Sequence, residues 1–237
     1  MRSMQKVLFR DLGKMEYRQA WDYQEELLRE NVRIKSLQRN QADSPPASTS
    51  HYLLFVEHPP VYTLGKSGNI ENILIGEEEM KEGGMQFFHT NRGGDITFHG
   101  PGQVVGYPVL DLEKFYTDIG KYLRSLEETI IFMLAEYGIR GERSPGETGV
   151  WIEPGVKGRE RKICAIGVRC SRWVTMHGFA FNVNTDLSYF GNIVPCGIQD
   201  KQVTSLEKEL GRPVPLQEVK DKLKRQFGRV FNVELAG

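Results

Sequence analysis

A cysteine between proline and glycine, a lysine on an apolar strand and a glycine-crowded loop are the features of this chain whose residue types suit chemistry. Cys196, in Asn192 to Ile198 (NIVPCGI), falls in a turn that displays its side chain. Cys164, in the apolar run RKICAIG, reads as a small core hydrophobe, and Cys170, between Arg169 and Ser171, as a strand-end thiol. A free thiol titrates near ~8.5 and needs a cation or a helix N-terminus beside it to be thiolate near neutrality. Lys162 is the candidate cation, although nothing in the spacing requires the two to meet. The plainer alternatives are a structural turn cysteine and an edge-strand or snorkelling lysine.

Arg92 to Gln103 (RGGDITFHGPGQ) has glycine at 93, 94, 100 and 102 and proline at 101. Such a segment lets a ligand approach the main chain and exposes backbone N–H donors. It matches neither the phosphate-loop nor the dinucleotide fingerprint. Two tight turns around a strand, with Arg92 and His99 as satisfied polar residues, are the competing reading. Met176 to Asn184 (MHGFAFNVN) alternates Phe179, Phe181 and Val183 with Gly178, Ala180 and Asn182. That is a half-buried strand whose small face leaves room for an aliphatic chain or for the close approach of another backbone.

The elements that must position these residues are an amphipathic helix over Met15 to Ile34 and a surface loop, mobile or lid-like, over Ser36 to Ser50. Strands are expected at Tyr52 to Glu57, Val61 to Leu64, Gln86 to His89, Gln103 to Leu110, Gly149 to Ile152, Lys162 to Arg169 and His177 to Val183. Helices are expected over Asp118 to Tyr137 and Leu216 to Phe231. Without a regular βαβ beat or an internal repeat, the fold class is α/β (α+β): a single domain over residues 1–237, a mixed sheet backed by helices. A smaller C-terminal subdomain could begin near Asp186.

Composition narrows the function classes. The 237 residues include 31 Lys+Arg and 31 Asp+Glu, a formal net charge of zero, which argues against a dedicated nucleic-acid binder or attraction to an anionic membrane. The longest apolar run, Ile130 to Ala135, is far short of the ~20 residues that span a bilayer, and reads as a core helix segment. The N-terminus lacks the apolar stretch of a secretory signal, so a cytoplasmic location is the default. Three cysteines without a C-x-x-C pair argue against a disulfide framework.

Taken together, RGGDITFHGPGQ, KICAIG, HGFAFNVNTDL, NIVPCGI and VTSLEKELG resemble, in order and spacing over roughly Leu53 to Gly211, the lipoyl(octanoyl) transferase family. The resemblance implies the fold of the lipoate and biotin protein ligases. It implies an acyltransferase that moves an octanoyl group from octanoyl-acyl carrier protein to a lysine of a lipoyl domain, with no cofactor, neither ATP nor metal. Acceptors would be lipoyl domains of 2-oxoacid dehydrogenase complexes and the glycine cleavage H protein. Cys196 would hold the acyl group as a thioester, and Lys162 would lower the thiol pKa and serve as acid and base. Substrate contacts map onto Arg92, Gly93, Gly94, Asp95, Ile96, Thr97, Phe98 and His99, onto Ala165, Ile166 and Gly167, and onto Gly178, Phe179 and Ala180. This chain departs from the family in having Cys164 where alanine is common, and in its long Ser36 to Ser50 segment.

Exchange between two thioesters is nearly neutral in energy, so no nucleotide is needed, and the final amide makes transfer downhill. Backbone N–H groups of a glycine-rich or turn segment would hold the oxyanion. Arg92 and His99 would orient the loop or, second, act directly. The basic run Lys157 to Arg172 is a candidate docking face for an acidic carrier, the alternative being a solvated charge run. Two other functions remain open: an ATP-dependent lipoate or octanoate ligase on the same fold, and a non-catalytic module that binds acyl carrier or lipoyl domains.

Overall fold

The computed structural model describes residues 4–40, 48–194 and 202–237. In chain order these residues form β1 (Gln5–Lys14), α1 (Tyr17–Asn40), β2 (His51–Glu57), β3 (Val61–Leu64), α2 (Glu77–Glu82), β4 (Gln86–His89), β5 (Ile96–His99) and β6 (Gln103–Val109). There follow α3 (Ile119–Ala135), β7 (Val150–Ile152), β8 (Arg161–Ser171), β9 (Val174–Asn182), β10 (Gln202–Val203), α4 (Leu206–Leu210), α5 (Leu216–Phe231) and β11 (Val233–Ala236).

Eight strands make one mixed sheet in the order β10-β8-β9-β6-β2-β1-β11, with β7 also paired to β8. β3, β4 and β5 make a separate three-stranded sheet in the order β4-β3-β5. The large sheet is covered on both faces, because side chains alternate along its strands. Leu53, Phe55, Val104, Phe179 and Phe181 pack against α3 and α5, where Leu126, Ile130, Leu223 and Phe227 are fully or almost fully buried. Leu54, Val56, Val105, Tyr107 and Ala180 point the other way, toward Ala20 of α1. The small sheet has its own core of Tyr62, Leu64, Ile96 and Phe98, closed by Ile193.

The helix of α1 continues past Ile34, so residues 36–40 belong to it and the expected loop is shorter than Ser36 to Ser50. The buried stripe Ala20, Gln24, Leu28, Asn31, Lys35 recurs every three or four residues and explains the extension. Each polar member of the stripe is matched. Gln24 Oε1 accepts the His177 N–H, and Asn31 exchanges two hydrogen bonds with the Ser50 backbone. Lys35 pairs with Asp111 at 2.5 Å and with Glu113 at 3.1 Å. Ser36 then accepts from Arg172, so the helix ends only after these contacts. Residues 41–47 of the expected loop lie outside the described residues.

Four strands were not expected from sequence: β1, β5, β10 and β11. β1 has charge along its length and only Val7 fully buried, so it lacks an alternating signature; parallel pairing with β2 and β11 on either side makes it a strand. β5 lies inside the glycine-rich segment and pairs antiparallel with β3. No helix among the described residues is long and apolar enough to cross a membrane.

Candidate active site

β8 and β9 pair antiparallel with Ala165 opposite Ala180 and Gly167 opposite Gly178. Directly opposed residues share a face, so the four smallest side chains of the two strands form one patch on the sheet. This patch floors a cavity of about 400 Å3, within the range of small-molecule sites. Its walls come from Arg92 and Gly94 to Thr97 of the glycine-rich segment, His99, Gln103, the 146–148 loop and Tyr17 of α1.

The two roles considered for the small residues divide among them. Ala165 and Ala180 border open space. A Cβ on Gly167 would lie 2.7 Å from Gly93 O, and one on Gly178 would collide with Gly106 O, so close backbone packing requires these two glycines. Gly93 N–H donates to Val168 O at 2.9 Å, tying the small sheet to the edge of the cavity.

Lys162 reaches this cavity through a bulge. Between Val150 and Trp151 of β7, β8 advances two residues, from Cys164 to Lys162. An extra residue resets alternation. Strict alternation along β8 would group Lys162 with Cys164 and Ile166. Instead Ile163 and Cys164 both enter the core, and Lys162 lines the cavity with Ala165 and Gly167. The Lys162 ammonium is 4.6 Å from the centre of the Trp151 ring and 3.8 Å from Glu147 Oε2. The loop that presents Glu147 is held from below by the fully buried Glu127, which accepts the Gly149 N–H at 3.0 Å and pairs with Arg124 and Arg143.

A directed line of hydrogen bonds crosses the cavity wall. Arg92 donates through Nη2 to Thr63 O and Thr63 Oγ1, and through Nη1 to Gly93 O. The Thr63 hydroxyl donates to His99 Nε2 across a long 3.4 Å, and His99 Nδ1–H donates to Gln103 Oε1 at 2.9 Å. Gln103 Nε2 donates to Asn182 Oδ1, and Asn182 Nδ2 to Thr204 O. Thr204 N–H in turn donates to Lys162 O at 3.0 Å. Burial holds the imidazole of His99 well below its ordinary value, so it is neutral, as the tautomer in this chain of bonds requires. Burial likewise lowers His58 to about 4 and His177 to about 3. His177, at φ 57°, shares its Nε2–H with Asn91 Oδ1 at 2.7 Å.

Of the residues expected at the site, Lys162, Arg92, Gly94, Asp95, Ile96, Thr97, His99, Ala165, Ile166, Gly167, Gly178, Phe179 and Ala180 line this one cavity. Gly93 stands behind it, and Phe98 is turned into the small-sheet core, stacked on Tyr189 at 4.5 Å. Cys196 lies outside the described residues. The two other thiols are placed: Cys164 is fully buried and Cys170 half-buried, and burial pushes both thiols above the ordinary range. Tyr17, Tyr107, Gln103, Asn182, Glu147, Trp151 and His177 were not singled out from sequence. Gln103 closes the glycine-rich segment and Asn182 ends the small-faced strand, but no local pattern marks a tyrosine or tryptophan contributed from a distant element.

The expected basic docking face is divided. Arg161 is bound by Glu153 and by both oxygens of Glu209, and Arg159 by Glu153, at one end of β8. Arg169 and Arg172 stand at the other end, on the order of 30 Å away along an extended strand.

A mixed sheet thus sets a small-residue slot beside a lysine, under a glycine-rich loop that joins a second, smaller sheet. The model of the lipoyl protein ligase A/B catalytic domain matches residues 16–228. The octanoyltransferase of Christiangramia forsetii is 58% identical over 230 residues, 97% of either chain. That of Flavobacterium johnsoniae is 56% identical over 231 residues, 97% of this chain and 98% of its own. A bipartite lipoate protein ligase from Thermoplasma acidophilum, studied with its E2 lipoyl domain, superposes with a TM-score of 0.69 over 98% of this chain and 86% of that one. At 19% identity that likeness concerns the fold. The chain belongs to the lipoyl protein ligase A/B catalytic family and, within it, to the octanoyltransferases, which are acyltransferases.

Proposed function

We propose that this chain carries an octanoyl group from octanoyl-acyl carrier protein, through a thioester on Cys196, to a lysine of a lipoyl domain, in the first step of protein lipoylation. The observation that supports this most is the convergence of Lys162, the Ala165/Ala180 slot and the glycine-rich loop on one cavity. The chain on either side of the Cys196 segment lies at that cavity too. Phe190 and Val203 both line it, and Val203 sits directly beside Lys162 in the β10–β8 pairing.

In the first half-reaction the Cys196 thiolate attacks the donor carbonyl. The carrier thiolate leaves and takes a proton from Lys162. In the second, the acceptor lysine amine attacks the enzyme thioester and Lys162, now neutral, removes the amine proton. An amide forms and the Cys196 thiolate is regenerated. Closing water out of the slot protects the thioester, and each methylene buried contributes about 0.8 kcal/mol to binding. His99, buried, neutral and bonded on both ring nitrogens, suits orientation of the loop rather than proton transfer. Arg92, whose guanidinium bridges β3 to Gly93, suits the same role.

Octanoylation of a purified lipoyl domain from octanoyl-carrier protein without ATP tests the reading. It should proceed with the wild-type chain and stop with Cys196→Ala. Transfer that requires free octanoate and ATP would instead favour the ligase reading.

A further inference from the structure

Four arginines gather on one groove beside the cavity. Arg29 and Arg33 come from α1, Arg169 from β8 and Arg172 from the turn joining β8 to β9. Glu25 is the acid within the groove, shared between Arg169, Arg29 and the Asn91 amide, and Glu30 at the rim pairs with Arg33. Arg172 donates to the neutral Ser36 hydroxyl. Four guanidinium groups thus face two carboxylates.

Arg172 is presented by a tight turn whose Trp173 packs against the main core. Arg172 and Trp173 have φ of 48° and 65°, left-handed values at both central positions of a two-residue hairpin turn. Asn-Gly is the sequence that adopts such a turn without strain. Here the strain is retained, and a charged side chain is turned toward three like charges.

We propose that this groove, and not the Lys157 to Arg161 end of the basic run, binds the donor: an acidic carrier protein whose acyl group hangs from a phosphorylated arm. The proposal rests on the octanoyl-transfer reading. Guanidinium forks match phosphate and carboxylate geometry, which suits arginine to this task. Position fits as well. Arg169 alternates onto the same face of β8 as Gly167 and Ala165, with Ala165 about 13 Å along the strand. Asn91 lines the groove and bonds to His177, which lines the cavity, so the two depressions share a wall. A phosphate held at the arginines leaves the distal thioester end of an extended arm beside the slot.

The test compares two donors, octanoyl-carrier protein and octanoyl-pantetheine, which has neither phosphate nor carrier. It uses the wild-type chain and the variant Arg29→Ala/Arg33→Ala/Arg172→Ala, whose altered residues are exposed. The variant should raise KM for octanoyl-carrier protein at least 10-fold at low salt and flatten its salt dependence. It should leave kcat and the octanoyl-pantetheine reaction within about 2-fold. An unchanged KM for the carrier, an equal loss with both donors, or a rise confined to KM of the lipoyl domain would overturn the proposal. If the wild-type chain transfers from neither donor, the octanoyl-transfer reading fails first and the docking proposal with it.

Discussion

Lys162 and Ala165, three residues apart on β8, face the same cavity because the bulge opposite Val150 and Trp151 adds a residue between them. The same bulge sends Cys164 into the core. Its thiol has no exposure, and burial pushes it above its ordinary range, so it should be unreactive although it lies two residues from the cavity lysine. Alkylation of the native protein at pH 8, followed by peptide mapping, should leave Cys164 unmodified until denaturant is added. Modification at the same rate with and without urea would contradict the bulge.

The slot floor predicts acyl-length selectivity. Ala165 and Ala180 border the space directly, so Ala165→Val should shorten it while leaving the backbone contacts of Gly167 and Gly178 in place. Octanoyl transfer should fall about 10-fold in kcat/KM, whereas hexanoyl transfer should be nearly retained. Two methylenes at about 0.8 kcal/mol each correspond to roughly 15-fold in affinity, so a change in preference of that order is expected. Equal loss with both acyl groups would place the chain elsewhere.

Buried histidines predict acid sensitivity. His51 and His58 are lowered to about 4, His177 to about 3 and His99 well below its ordinary value, all chiefly by burial. Unfolded, each titrates near ~6.5. Between the two values the unfolded chain binds protons that the native chain does not, so stability rises with pH there. The histidine contribution is fully present above about pH 7 and is lost as pH falls from about 6.5 toward 4. Urea unfolding should show a lower midpoint at pH 5 than at pH 7.5. Equal midpoints would mean that these imidazoles accept protons in the folded state.

Much of this was legible in the sequence where the pattern is local. The helices over α3 and α5 and the strands β2, β3, β4, β6 and β9 follow hydrophobic period and turn residues. The segments RGGDITFHGPGQ, KICAIG and HGFAF each contribute residues to one cavity, while Phe98, Cys164 and Phe181 turn into the cores. What sequence did not reveal depends on pairing across the chain. β1 is a strand because β2 and β11 flank it. The continuation of α1 beyond Ile34 depends on Lys35 meeting Asp111, 76 positions away. The facing of Lys162 is set by the register of β7. The basic run divides because Glu209, far along the chain, binds Arg161 and not Arg169.

In the proposed mechanism the acyl group rests covalently on Cys196. Intact-protein mass spectrometry after brief mixing with octanoyl-carrier protein tests it most directly. One octanoyl adduct per chain is expected, mapped to the peptide containing Cys196, labile to hydroxylamine and discharged on adding a lipoyl domain. An adduct on Cys164 or Cys170, or full transfer to the lipoyl domain by a Cys196→Ala chain, would contradict it.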